Sequence, residues 1–155
     1  MRITATAFLP LTLLACSADN AEGQNAAEST RPFKTSIIAD FDSPWAMTFL
    51  PDGRALITEK AGEMILFDPK NGTKIPIAGI PQVDSAGQGG LMDVVLAPGF
   101  AKDRTVYFSF SESSPGGKGV ALATGVFNQA NDGNTNVDGV KNIFRGTPYV
   151  EGKGQ

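Results

Sequence analysis

Three glycines crowd around one amide in the segment Asp84-Ser85-Ala86-Gly87-Gln88-Gly89-Gly90-Leu91-Met92-Asp93. Glycine has no Cβ, so the backbone there can adopt positive φ and let a ligand come close, while the Gln88 carboxamide offers both a donor and an acceptor. Taken alone, the segment also reads as a Gly-rich connection carrying a solvated glutamine. It is not a nucleotide loop, because Gly87-Gln88-Gly89-Gly90 lacks the later glycine of a dinucleotide fingerprint and the Lys-Ser/Thr pair of a P-loop. Asp93 interrupts an apolar run and, on strict alternation, shares a face with Leu91 and Val95. Its carboxylate either orients a substrate in a polar channel or accepts from nearby N–H groups.

Other candidates are thinner. Trp45, in Asp42-Ser43-Pro44-Trp45, suits packing between sheets or stacking on a sugar ring. Asp132-Gly133-Asn134-Thr135-Asn136 is rich in oxygen donors yet lacks the distal Glu of an EF-hand loop, so it reads as a turn or as a calcium site. The chain contains no histidine. Histidine is the usual general base at neutral pH, so these residues either use another base or lack the catalytic half of a site.

Thirteen basic and 16 acidic residues give a formal net charge of −3, with no basic cluster. Nucleic acid is therefore not an expected partner. The first residues carry an export signature: Met1-Arg2 is followed by an uncharged, mostly apolar run from Ile3 to Ala15, too short to span a bilayer as a helix. The lone cysteine, Cys16, closes Leu13-Leu14-Ala15-Cys16, which resembles a bacterial lipobox. Residues 1–15 are thus expected to be a signal peptide. Either Cys16 is lipidated and attaches the protein to a membrane, or cleavage near Cys16-Ser17-Ala18 releases it. Residues 16–31 hold no aromatic or β-branched apolar side chain apart from a threonine and read as a flexible tether. The expected location is the periplasm or the outer membrane of a bacterium.

The elements that position the loop follow from period-two alternation. Trp45, Met47 and Phe49 fall on one face of a strand, and Ala46, Thr48 and Leu50 on the other. Further strands are expected over 54–60, 63–68, 74–78, 91–97, 105–111, 119–128 and 137–144, separated by turns at Pro51-Asp52-Gly53, Ala61-Gly62 and Pro98-Gly99. The turn glycines Gly53 and Gly99 lie 46 residues apart (99 − 53), and each separates an apolar strand from a more polar one. A repeat of about 45 residues with about four strands per unit is the length of a propeller blade, or of two similar hairpin pairs in a sandwich. The fold class is all-β.

Three phrases in order carry a resemblance: Asp42-Ser43-Pro44-Trp45-Ala46-Met47 with Phe49-Leu50-Pro51-Asp52-Gly53, then Leu56-Ile57-Thr58-Glu59-Lys60, then Gly87-Gln88-Gly89-Gly90-Leu91-Met92-Asp93-Val94. From about Phe33 to Gln155 the chain resembles the N-terminal part of the pyrroloquinoline quinone (PQQ) dependent aldose sugar dehydrogenases, the glucose/sorbosone dehydrogenase family. The resemblance implies that residues 32–155 form about two to three blades of a six-bladed β-propeller. It implies oxidation of the C1–OH of an aldose to a lactone, with hydride passing to PQQ, calcium holding the cofactor and an external acceptor reoxidising it. It assigns Gln88 to the cofactor and no catalytic or metal ligand to this chain, because the family's base histidine is expected just beyond Gln155 and the calcium ligands in later blades. It also implies that 33–39 pairs as a strand with the last blade, and that these 155 residues alone are inactive; the open strand edges of so few blades further predict poor solubility.

Other readings stay open on sequence. A propeller without quinone ligands can serve as an exported module that recognises a glycan or protein. A hydrolase or lactonase with a channel metal would need inward acids, for which Asp84 and Asp93 are the candidates. A short lipoprotein standing alone would leave strand edges open.

Overall fold

The computed structural model describes residues 32–130 and 133–151. The proposed signal peptide, the tether, Cys16, Asp132 and the last four residues lie outside the described residues. The chain divides into two units, Met1–Ser36 and Ile37–Gln155. Of the first, 32–36 are described and form neither strand nor helix.

The second unit is two antiparallel meanders. The first sheet runs β1 (Pro44–Phe49), β2 (Ala55–Glu59), β3 (Met64–Asp68) and β4 (Thr73–Pro76), adjacent in chain order. The second runs β5 (Leu91–Leu96), β6 (Thr105–Ser114), β7 (Gly117–Gln129) and β8 (Thr135–Arg145), again in order. These are two blades, at the lower end of the two to three expected, and they fall where alternation placed them.

The two sheets share one core. Leu56, Met64, Leu66 and Ile77 from the first interlock with Leu91, Val94, Val106, Phe108, Phe110 and Phe127 from the second. Burying such a set supplies the main drive for folding, at about 1.5–3 kcal/mol per large side chain. Between β5 and β6 the expected turn is instead a short helix, α1 (Phe100–Asp103), opened by Gly99. One helical turn is too short to show a 3.6-residue period; it exists because Phe100 must reach the core, where its ring stacks with Phe127 at 6.4 Å between centroids. Arg104, in the left-handed region at φ 58°, lays its guanidinium over both rings.

The fourth strand also ends earlier than expected. After Pro76 the chain leaves the first sheet: Ala78 donates to the Thr135 carbonyl (2.9 Å) and accepts from the Val137 N–H (2.8 Å). Gly79 then passes so close to the Val137 carbonyl that a side chain would collide with it. This detour stitches the outer margins of the two blades together.

The inner margins are joined by a hydroxyl. Thr58 is wholly buried; its Oγ1 accepts from the Ala46 N–H (3.1 Å) and donates to the Met92 carbonyl of the second sheet (2.5 Å). Both innermost strands are irregular here, β1 between Pro44 and Ala46 and β5 between Leu91 and Val94.

That second irregularity corrects the expectation for Asp93. A bulge puts two residues between Leu91 and Val94, so both of these face the core and Asp93 turns out to solvent, its Oδ1 accepting from the Val94 N–H at 2.9 Å. Trp45, Met47 and Phe49 share a face as expected, but it is the face away from the second blade. Phe41 covers the rest of that face, packing edge-on against Phe67. Trp45 and Phe49 remain 49% and 63% exposed, so no core role is realised here. Among the described residues no ladder forms over 33–39, since a strand needs a paired neighbour.

Two measurements check this packing. Thr58→Val leaves the Met92 carbonyl and the Ala46 N–H without their partner and is expected to lower unfolding free energy by about 1–3 kcal/mol in urea titrations. The apolar face of Trp45, Met47 and Phe49 is expected to drive self-association of the purified chain, visible by light scattering and reduced in the Trp45→Thr/Phe49→Ser double variant.

Candidate functional site

The starts of β5 and β7 and the ends of β2, β6 and β8 lie at one end of the blade pair, and the loop of residues 84–90 crosses it. Close backbone approach is what shapes this loop. The Asp84 N–H donates to the Ser111 carbonyl (2.8 Å), and the Ser111 N–H donates to the Gly90 carbonyl (2.9 Å). A Cβ on Gly89 would fall on the Asp84 carbonyl and 2.9 Å from Ser111 Oγ; one on Gly90, where φ is +144°, would fall on the Lys60 carbonyl. Both positions exclude any other residue, which explains the glycines physically. Ser111 Oγ is itself buried without a hydrogen-bond partner.

Gln88 stands at the crest of this loop, exposed, and its carboxamide makes no hydrogen bond among the described residues. The neighbouring chemistry is ionic. Asp84, its side chain 16% exposed, accepts from Ser113 Oγ, Lys118 Nζ and the Ala86 N–H. The Lys118 ammonium, with Ser113 and Ala86, holds its carboxyl down at about 2. Beside it Glu112 accepts from Tyr149 Oη, Arg145 Nε (2.6 Å) and Asn142 Nδ2 (3.2 Å). Burial pushes the Glu112 carboxyl up, but those three donors outweigh it and the net shift is downward. The Tyr149 hydroxyl is pushed up, first by its bond to Glu112 and then by burial.

Two clefts of about 540 and 550 Å³ flank these groups and share Glu112 and Ser113 as walls. Asp84 lines one and Arg145 and Tyr149 the other, while Gln88 lines neither. Of the acids proposed for a channel metal, Asp84 is therefore committed to Lys118 and Asp93 to its own strand. Among the described residues no group of three or more His, Cys, Asp or Glu could hold a metal ion. Thr135 and Asn136 of the oxygen-rich segment belong to β8, where Asn136 donates to Asp138.

Sequence reasoning missed Glu112, Lys118, Arg145 and Tyr149. They lie up to 37 residues apart in the chain, and only the pairing of β6 with β7 and of β7 with β8 brings them together. A signal was present: Glu112 and Lys118 are the charged residues flanking the β6–β7 hairpin.

Two consecutive four-stranded meanders, each with its first strand at the joint between sheets, define a partial β-propeller. The chain matches the Glucose / Sorbosone dehydrogenase family over residues 41–155 and belongs to it. It is 41% identical over 111 residues to the aldose sugar dehydrogenase YliI of Escherichia coli, covering 70% of this chain and 29% of that protein. A glucose dehydrogenase crystal structure superposes with a TM-score of 0.68 at 41% identity, over 74% of this chain and 33% of the other. The PQQ-bound aldose sugar dehydrogenase of Streptomyces coelicolor gives a TM-score of 0.59 at 25% identity, over 74% and 33%. The chain thus spans under a third of the length of the E. coli relative.

The Asp84 contacts give a signed pH dependence. A carboxyl depressed from 3.8 to about 2 contributes its full stabilisation above the unfolded value and loses it as pH falls through the folded one. The stability difference between wild type and Asp84→Asn is expected to be constant above pH 5 and to shrink between pH 4 and 2 in denaturant titrations.

Proposed function

We propose that this chain is part of a PQQ-dependent sugar dehydrogenase that oxidises the C1–OH of aldoses to lactones, and that Gln88 is its contribution to the cofactor site. The observation that carries the reading is the free carboxamide of Gln88, held outward on a backbone shaped by Gly89 and Gly90 at the end where both blades open. PQQ presents three carboxylates and an ortho-quinone, whose oxygens suit an amide donor. The donor set here fits that group in part. Gln88 is available to it, whereas Lys118 and Arg145 are already paired with Asp84 and Glu112. The cationic clamp and any calcium that holds the cofactor are assigned to residues outside this chain.

When bound, the quinone would supply a two-electron acceptor for the hydride of the sugar C1. This chain's residues orient and exclude rather than move protons. The loop carries Gln88 outward, and the Asp84–Lys118 and Glu112–Arg145 pairs wall the adjoining clefts with charges already neutralised. Removal of the sugar hydroxyl proton needs a base near neutrality, which in the family reading is a histidine beyond Gln155. The 155 residues alone accordingly turn over no substrate. The reading further includes export, lipidation or release at Cys16, a periplasmic or outer-membrane location, and an external electron acceptor.

A chimera tests this. With residues 41–155 replacing the matching stretch of the E. coli aldose sugar dehydrogenase, and with PQQ and calcium added, aldose-dependent dye reduction is expected. Gln88→Ala in that chimera is expected to lower kcat/KM about tenfold or more, the worth of one hydrogen bond. The 155-residue chain given PQQ, calcium and glucose should reduce no dye, and turnover by it would sink the assignment of the base.

A further inference from the structure

We propose that Lys60 is the positioning residue for Gln88: it straps the loop on both sides of the glutamine and fixes the direction in which the carboxamide is offered. The proposal deepens the cofactor reading of Gln88 and rests on it. Lys60 follows β2 in the first blade, whereas Gln88 precedes β5 in the second, so no local sequence pattern links them.

The strap has three points of attachment. The Lys60 carbonyl accepts from the Leu91 N–H at 3.3 Å, closing the loop on its C-terminal side. The Lys60 side-chain stem lies across Gly90, its Cγ standing where a Cβ there would be only 2.9 Å away. The ammonium then reaches over the loop and donates to the Gly87 carbonyl at 2.6 Å, on the other side of Gln88. Lys60 is anchored in turn by its own N–H, which donates to the Ser43 carbonyl at 3.1 Å.

Gly87 has a positive φ of 66° and Gly90 one of 144°, so the two residues nearest Gln88 with unusual backbone geometry are the two that Lys60 touches. Glycine reaches such φ values without steric penalty but has the most backbone freedom to lose, so contacts that fix it there matter. The ammonium makes no ion pair among the described residues: Asp84 is occupied by Lys118, and Glu59 Oε1 accepts from the Asp42 N–H. Its hydrogen bond to the Gly87 carbonyl is thus charge-assisted and not diverted to a carboxylate. Among the described residues no hydrogen bond holds the Gln88 side chain, so the region it can reach is set by the backbone on either side of it, which Lys60 bonds at Gly87 and abuts at Gly90.

Hydrogen exchange on the purified chain tests the strap without reference to any cofactor. Lys60→Met is expected to speed exchange of the Ala86 and Gly89 amides roughly tenfold while amides in the middle of β6 and β7 stay unchanged, and Lys60→Arg is expected to restore most of the protection. Unchanged loop exchange in Lys60→Met, or equal acceleration in β6 and β7, overturns the proposal. In the chimera, Lys60→Met is expected to weaken PQQ binding measured by fluorescence quenching, and to add little once Gln88 is already Ala. Full additivity of the two substitutions overturns positioning through Gln88. A Gln88→Ala chimera with unaltered PQQ affinity discards the cofactor reading and the proposal with it, even where exchange shows the strap to be real.

Discussion

The inner margin of the two blades is joined through a buried hydroxyl, Thr58, beside the shared apolar core, and the backbone of Lys60 crosses the same joint to the loop. Thr58 has one hydrogen to give, and it goes across the joint to the Met92 carbonyl. A regular β5 would direct that carbonyl along its own ladder; the bulge between Leu91 and Val94 frees it to meet β2. The same bulge sets where β5 begins, and hence how Gly89 and Gly90 come down onto Ser111 and Lys60. A wholly apolar joint would bury area just as well but would not specify the register of one blade on the next, which a buried polar pair does because its misalignment leaves unsatisfied groups.

Much of this architecture was legible in the sequence. All eight strands lie close to where the apolar runs and turn residues put them, although β2 and β3 are buried almost throughout and β4 stops early. The spacing of Gly53 and Gly99 marked the repeat, although only Gly53 has positive φ; Gly99 opens a helix instead. What alternation could not carry was any break in itself. The β5 bulge reversed the face of Asp93, and α1 was hidden in four residues. The polar groups of the site were less legible still, since Glu112, Arg145 and Tyr149 meet only through strand register. The glycines on both sides of Gln88 were a local signal of a closely held backbone, while Lys60, which lies against that loop, gave none.

The outer faces of the pair tell how the unit relates to its fold family. Phe41 covers only part of the first sheet's far face, with Lys74 lying over its ring, and leaves Trp45, Met47 and Phe49 open. On the second sheet Val95 and Val126 point away from a core that holds their neighbours Val94 and Phe127. Strands that are apolar on both faces are what stacked blades require, since each sheet must be covered twice. The pattern agrees with the Glucose / Sorbosone dehydrogenase match, in which this chain corresponds to under a third of the E. coli relative.

The distribution of charge at the loop end shows why its carboxylates are not placed to act as bases. A useful base holds its proton affinity near the working pH. Asp84 is depressed to about 2 and Glu112 also lies below its ordinary value, each because cations and hydroxyls donate to it. Both are ionised at neutral pH, yet both are weak proton acceptors whose lone pairs are already engaged. Freeing either would strand Lys118 or Arg145 without its partner. The carboxylates therefore hold the frame, and the Gln88 side chain, disengaged at the crest of the loop, is an amide, which can donate and accept hydrogen bonds without changing charge at any pH the fold survives. In the proposed reading such a residue would orient the cofactor and leave proton removal to another group.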